Sequence, residues 1–168
     1  MRNRIKRAYV AAMLQVVGRG LAAGSRVDIV LSQELGALPA GFQVQLLVLP
    51  AGLSVLLQSN GDGTVNLARE VKAKPDLSIR FKHVSHAFLV LTFQEGTARA
   101  FANSRLLADG DLAAATRLLR CLDRLETLIL PAFIAKRAVK RPTKIALPAK
   151  LALATCIYGV MARQFVFR

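Results

Sequence analysis

The stretch KPDLSIRF, residues 74–81, decides the fold because apolar and polar residues alternate along it. Leu77, Ile79 and Phe81 lie on one side of an extended chain, and the polar residues between them lie on the other. This period of two predicts a β-strand with one apolar face and one face in contact with water. Such a strand needs neighbouring strands and a cover for its apolar face.

The same alternation runs through the sequence before that strand. Three further strands are predicted, at residues 42–48, 53–58 and 65–67. Proline, glycine and polar residues separate them, as in the segment SNGDG at residues 59–63, which has the composition of a turn. Short connections of this kind predict an antiparallel meander.

Helical spacing begins after residue 83. Residues 84–91 and a shorter segment around Phe101 predict two short helices, and residues 105–108 predict a last strand. Asp111 is placed to cap the long amphipathic helix that follows, because its carboxylate can accept hydrogen bonds from free backbone amides. Residues 25–38 fit both a strand and a short helix. Prolines divide the chain after residue 130 into short helical pieces.

Two segments resemble a known family. Residues 74–81 form a strand led by Asp76, and residues 101–112, FANSRLLADGDL, place a Phe before a small polar turn, a short strand and Gly-Asp. With this order of elements the chain resembles the sterol carrier protein type-2 family over about residues 42–130. The resemblance implies an α+β fold, in which helices cover a five-stranded, mainly antiparallel sheet around an apolar cavity. Members of the family that consist of this domain alone include bacterial accessory factors of ubiquinone biosynthesis.

The resemblance assigns lipid contacts to apolar residues of the strands and of the two short helices. The residues are Phe42, Val44, Leu46, Leu53, Val55, Leu57, Val65, Leu67, Ile79, Phe81, Phe88 and Phe101. Composition alone favours a different interpretation, an ordinary hydrophobic core. Only the resemblance favours a cavity that accepts a ligand.

The net charge of +14 arises at the two ends of the chain. All ten acidic residues lie within residues 28–126, where ten basic residues balance them. The expected organisation is therefore a basic amphipathic helix at residues 1–26, a lipid-binding domain at 27–130 and a basic helical extension at 131–168. The longest uncharged apolar runs, such as residues 151–162, are shorter than the roughly 20 residues that cross a bilayer.

At both ends of the chain the basic residues are interspersed with aliphatic residues. This pattern favours binding to an anionic membrane over binding to nucleic acid. Two tyrosines and no tryptophan leave few side chains on which bases could stack. The apolar stripe of the first helix is expected to lie in the membrane surface. Membrane contacts are assigned to Arg4, Lys6, Arg7, Lys136, Arg137, Lys140, Arg141 and Lys144. Surface charge that merely keeps an apolar protein soluble is the simpler alternative.

No residue pattern predicts catalysis, a cofactor or a metal site. His83 and His86 are the only histidines, and no cysteine or acidic residue follows them at metal-ligand spacing. Asp109 and Asp111 fit a turn and a helix cap better than a pair of catalytic acids. The two cysteines, at positions 121 and 156, fit reduced thiols in the cytoplasm.

The sequence thus predicts a protein that binds and carries a hydrophobic lipid without transforming it. The ligand is a phospholipid, an isoprenoid or a quinone-type intermediate, and the location is the cytoplasmic surface of the inner membrane. Expected partners are the lipid, the anionic membrane and lipid- or quinone-modifying enzymes, with a place in ubiquinone biosynthesis implied by the resemblance. The alternatives are a nucleic-acid-binding protein, which the sequence disfavours, and a scaffold subunit of a lipid-modifying enzyme complex.

Overall fold

The structure, a computed structural model, describes residues 2–70, 74–129, 154–156 and 159. Residues 154–156 and 159 are helical, and the other short helices predicted after residue 130 lie outside the described residues. Ten elements follow one another in the order α1 (Arg2–Val27), α2 (Ile29–Leu35), β1 (Gln43–Val48), β2 (Leu53–Ser59), β3 (Val65–Leu67), β4 (Leu77–Phe81), α3 (Val84–Leu91), α4 (Thr97–Ala102), β5 (Leu106–Gly110) and α5 (Leu112–Ile129).

The five strands form one sheet in the order β3-β2-β1-β4-β5. The pairs β1–β2, β2–β3 and β4–β5 are antiparallel, whereas β1 and β4 are parallel. The predicted α+β class, with a mainly antiparallel sheet of five strands that includes a meander, is confirmed. The parallel pair arises because β4 joins the free edge of β1 after a connection that returns from the far side of the sheet.

Asp76 fixes the position of β4 beside β1. Its carboxylate accepts a hydrogen bond from the backbone amide of Gln43, 2.7 Å away, at the start of β1. The two parallel strands therefore begin at the same level, and Val44 lies opposite Leu77. The aspartate that leads the strand in the quoted motif thus has a structural role.

One expectation for β4 is wrong. Its alternate residues were expected on a face in contact with water, but Ser78 is buried. Ser78 lies between Gln45 and Asp109 in the register of the sheet, so a short side chain stands between two longer ones. Arg80 on the same face is only partly exposed and pairs with Asp109.

Helix α1 belongs to the core, which corrects the expectation that its apolar stripe lies in a membrane. Val10, Leu14 and Leu21 are at most 1% exposed and belong to the main hydrophobic cluster. The helix packs against β2, β3, α2, α3 and α5. Ile5 in the second turn is 69% exposed, so the start of α1 presents an apolar side chain to solvent.

Two glycines let α1 approach its neighbours closely. A Cβ atom at Gly18 would lie 2.6 Å from Cγ2 of Val55 on β2, and one at Gly20 would lie 3.0 Å from Cδ2 of Leu125 on α5. Both distances are shorter than ordinary contacts between carbon atoms. Glycine at these positions therefore places α1 directly between the sheet and α5.

A buried ion pair accounts for the ambiguous segment 25–38. Asp28 is 3% exposed and caps α2 by accepting a hydrogen bond from the amide of Leu31 at 3.0 Å. Its carboxylate also accepts from Nη2 of Arg124 at 2.7 Å. The segment is helical because Asp28 caps α2 and, through Arg124, attaches its start to α5.

The predicted cap of α5 is confirmed, since the Asp111 carboxylate accepts from the amides of Ala113 at 2.8 Å and Ala114 at 3.2 Å. Strand β5 extends to Gly110, beyond the predicted end at residue 108. Gly110 has a φ angle of +124°, and a Cβ atom there would lie 2.1 Å from the carbonyl oxygen of Asp76. In the Gly-Asp pair of the motif, Gly110 thus ends β5 in close contact with β4, and Asp111 caps the start of α5.

Replacing Gly110 with alanine should lower the free energy of unfolding by about 3 kcal/mol, because both the backbone angle and the contact with Asp76 oppose a Cβ atom. Urea denaturation measures this change. Gly52→Ala is the matched control, since Gly52 also has a positive φ, +65°, but no atom within 4 Å of the added Cβ. Equal losses in the two variants would refute the role assigned to the close contact.

Candidate functional site

The twelve residues assigned to lipid lie together in one apolar layer between the sheet and the helices. Seven of them are 1–5% exposed, and these are Val44, Leu46, Val55, Leu57, Val65, Ile79 and Phe81. The other five are partly buried and pack against the same cluster, namely Phe42, Leu53, Leu67, Phe88 and Phe101. We refer to these twelve residues as the apolar layer. The protein's own side chains cover most of it.

The cover over this layer is uneven. Helix α1 lies close to β2 and β3, whereas α3 packs mainly against α1 and has fewer contacts with the sheet. Phe88 on α3 and Phe101 on α4 are the aromatic members of the layer on the helical side. Phe93 and Ser104, which follow these two helices, have positive φ angles of 59° and 54°. Left-handed backbone is uncommon at residues other than glycine, and here it follows the end of each helix of the α3–α4 cover.

A cavity of about 380 Å³ lies between α3 and α4 on the outer side of that cover. Glu95, itself buried, accepts hydrogen bonds there from Nδ2 of Asn103 at 2.8 Å and from Nη1 of Arg105 at 2.7 Å. These bonds satisfy the carboxylate and connect the α3–α4 turn to the chain after α4. The cavity is therefore a surface cleft that the hydrogen bonds of Glu95 stabilise.

A second cavity, of about 450 Å³, lies at the end of the sheet where β1 and β4 finish. It is formed by the start of α1, the β1–β2 turn and the start of α3, and we call it the end groove. Its lining consists of Asn3, Lys6, Arg7, Pro50, Ala51, His83, Val84 and Ser85. Of these eight described residues none is acidic.

Side-chain contacts hold the three walls of the end groove together. Nη2 of Arg7 donates to the carbonyl oxygen of Ala51 at 3.2 Å, and the hydroxyl of Tyr9 donates to the carbonyl oxygen of Leu91 at 3.2 Å. Nζ of Lys6 lies 5.2 Å from the centroid of the Phe88 ring, within the range of a cation–π contact. The basic start of α1 is thereby attached to both the turn and α3.

The structure brings together some of the predicted membrane contacts. Arg4 and Arg7 are exposed and Lys6 is half-buried, with Lys6 and Arg7 lining the end groove. The remaining assigned cations, Lys136, Arg137, Lys140, Arg141 and Lys144, lie outside the described residues. In the part of the chain that the structure describes, no helix combines the length and the apolar character needed to cross a bilayer.

Sequence reasoning did not place Pro50, His83 and Ser85 beside the basic residues of α1. The turn at residue 50 and the helix start at residue 84 were each evident from the sequence. Their proximity to residues 3–7 depends on how α1 crosses the sheet, and no local pattern encodes that crossing. The groove is therefore a product of tertiary packing.

The histidines and cysteines lie in separate environments. The rings of His83 and His86 are 5.2 Å apart, and burial, followed by the neighbouring His83 and Arg105, lowers the pKa of His86. Burial raises the pKa of the Cys121 thiol to about 12, so this thiol is unreactive near neutral pH. Within the described ranges, no three His, Cys, Asp or Glu residues are grouped so that they could hold a metal ion.

No protein-family model and no curated protein matches the sequence. Solved structures do match. A structure titled "UbiJ-SCP2 Ubiquinone synthesis protein" is 15% identical, covering 73% of this chain and 99% of its own, with a TM-score of 0.48. The chain is similar to sterol carrier protein type-2 domains.

Two further structures illustrate this similarity. Sterol carrier protein 2 from Yarrowia lipolytica is 17% identical over 67% of this chain and 86% of its own, with a TM-score of 0.40. A possible sterol carrier protein from Thermus thermophilus is 17% identical over 76% of this chain and 87% of its own, with a TM-score of 0.46.

Glu126 on α5 is a half-buried acid with a raised pKa. Burial, together with the neighbouring Asp123 carboxylate, raises the pKa of Glu126 to about 8. Its Oε2 atom is buried and has no hydrogen-bond partner among the described residues. The folded protein therefore favours the protonated form of this side chain at neutral pH.

The free energy of unfolding should fall as the pH rises from about 4.5, the ordinary pKa of glutamate, to about 8. In this window the folded state retains a proton on Glu126 that the unfolded state releases, so the contribution of Glu126 to stability falls as the pH rises. The lowered pKa of His86 has the opposite effect below its ordinary value of 6.5. The total loss should be on the order of a few kcal/mol. Urea denaturation at several pH values across the window measures it.

Glu126→Gln should remove most of this dependence, because the amide does not ionise. Glu70→Gln removes an exposed carboxylate and serves as the control, which should retain the slope of the unaltered protein. An unchanged slope in Glu126→Gln would mean that another group is responsible.

Proposed function

We propose that the protein binds a hydrophobic lipid in the apolar layer and carries it at a membrane surface without covalent chemistry. The main support is the continuity of the layer, because twelve residues predicted from strand alternation and motif resemblance lie in one cluster. Transfer by such a protein requires no catalytic group. It needs only to shield the chain of the lipid from water, which is worth about 0.8 kcal/mol per CH₂ group.

In this proposal the lipid enters beneath the α3–α4 cover. These two helices are short, with eight residues in α3 and six in α4, and they contact the sheet less extensively than α1 does. An apolar chain between Phe88, Phe101 and the inner face of β4 would replace contacts that the helices now make with the sheet. The strained residues Phe93 and Ser104 lie at the ends of the segments that would move.

Contact with an anionic membrane is the second part of the proposal. Arg4, Lys6 and Arg7 lie around the exposed Ile5 at the start of α1. A cation near an anionic membrane surface contributes about 1 kcal/mol to binding, and an apolar side chain adds its own burial. The cations predicted at residues 136–144 would add to this attraction.

We further propose that the carried molecule is a phospholipid, an isoprenoid or a quinone-type intermediate. The motif resemblance supports a role as an accessory factor in ubiquinone biosynthesis, in which a polyprenyl chain must be kept from water between enzymes. Lipid- or quinone-modifying enzymes are the partners that such a role requires, and the cytoplasmic surface of the inner membrane is its place.

Ala100→Leu should reduce the amount of lipid that the protein retains about tenfold, because Ala100 is fully buried on α4 and a larger side chain would occupy the proposed space. Ala102→Leu is the matched control, since Ala102 is exposed on the same helix. The measurement is mass spectrometry of lipids extracted from the purified full chain, together with uptake of a fluorescent fatty acid.

Circular dichroism and thermal unfolding establish that both variants are folded. A folded Ala100→Leu variant that retains as much lipid as the control would contradict binding under α4. A native protein that yields no extractable lipid and takes up no fluorescent lipid would contradict the carrier function itself.

A further inference from the structure

The end groove has the chemistry of an anion site. Lys6 and Arg7 extend into its lining from α1, and His83 and Ser85 contribute from the start of α3. No acidic residue among the described lining residues offsets the two fixed positive charges. A guanidinium and an ammonium on the same wall of a concave site attract an oxyanion and can donate several hydrogen bonds to it.

The start of α3 adds donors to this cationic wall. The side chain of His83, the N-cap residue, makes no capping hydrogen bond, and the first turn of α3 contains no acidic residue. The amides of His86 and Ala87 donate to the carbonyl oxygen of His83, so the amides of Val84 and Ser85 are the ones at this helix start that have no partner within the helix. Ser85 lines the groove in this first turn, and its hydroxyl is a further possible donor. These groups supplement the two cations, which provide most of the attraction.

The apolar residues beside the groove indicate where the anion comes from. Ile5 is 69% exposed and precedes Lys6, while Leu49 is 39% exposed and precedes Pro50. They are thus sequence neighbours of groove residues on two different walls. In a membrane, the phosphate groups lie immediately above the acyl chains. A lipid phosphate bound in the groove would therefore allow the neighbouring apolar side chains to reach the acyl chains.

We propose that the end groove binds the phosphate group of an anionic membrane lipid, with Lys6 and Arg7 as the main ligands and Ile5 and Leu49 inserted beside it. The site borders the apolar layer at the contact between Lys6 and Phe88, but its occupation does not require that the layer accept a lipid chain. It rests on the membrane contact proposed above and deepens it, because a defined phosphate site gives the protein a fixed orientation on the membrane. In that orientation α3 lies next to the lipid surface.

The first test compares two double variants of the full chain that carry the same net charge. Lys6→Gln with Arg7→Gln removes the groove cations, whereas Lys74→Gln with Arg120→Gln removes two exposed cations elsewhere, one before β4 and one on α5. Flotation with phosphatidylcholine vesicles that contain phosphatidic acid should weaken about tenfold or more for the groove variant. The control should change less than about twofold. Equal weakening of both would overturn the proposal.

Ser85→Asp tests the groove without harming the fold. An acidic side chain in the first turn of a helix stabilises that helix, so α3 should remain intact. The same charge in the groove repels a phosphate group. Flotation should therefore fall to about the level of the Lys6→Gln, Arg7→Gln variant, while thermal stability is retained. Normal flotation of this variant would overturn the proposal, whatever the other variant does.

A third comparison separates the phosphate group from charge alone and the lipid from free phosphate. Vesicles in which oleate replaces phosphatidic acid at equal charge should bind more weakly, since a carboxylate accepts fewer hydrogen bonds. Ile5→Ser with Leu49→Ser should reduce flotation but leave the weak binding of glycerol 3-phosphate unchanged. Equal binding to the two vesicle types would overturn the phosphate assignment. Tight binding of inorganic phosphate, with no effect of the Ile5 and Leu49 changes, would overturn the lipid assignment.

Discussion

The close approach of α1 to both β2 and α5 is the constraint on which the structure depends. Gly18 and Gly20 permit it, because any larger residue would meet Val55 or Leu125. Once α1 lies there, its end positions Asp28 to cap α2 and to pair with Arg124, so three helices are fixed relative to the sheet. Leaving either partner of such a buried pair alone is costly, which makes the helical layer cooperative.

Features with a local code were predicted from the sequence, and features set by packing were not. The strands followed from alternation because a period of two is imposed by the pleat itself, and the cap of α5 followed from Asp111. The burial of α1 was missed because a basic amphipathic helix has the same pattern whether its stripe faces a membrane or a sheet. Likewise the apolar layer was predicted strand by strand, whereas the end groove unites residues 3–7, 50–51 and 83–85, which no local pattern connects.

The two halves of the cover have different physical characters. Over β2 and β3, α1 packs closely against the sheet because of its glycines. The hydroxyl of Ser25 on α1 also accepts a hydrogen bond from the amide of Val65 at 3.2 Å. Over β4 and β5, the short helices α3 and α4, with their aromatic side chains, share the cover with α5. Tyr9 joins the halves through its bond to Leu91 and its edge contact with Phe88, at 5.4 Å between ring centroids. Movement of α3 would therefore change its contacts with Tyr9 and so displace the basic start of α1.

The lengths of the outer strands also bear on how the protein behaves at high concentration. Strand β3, at one border of the sheet, has only three residues, and β5, at the other, ends at Gly110 beside a charged aspartate. Unpaired backbone groups at a sheet border are templates for pairing with another chain, and a border this short or charged offers few of them. A protein with such an apolar interior is thereby protected from aggregation through strand addition.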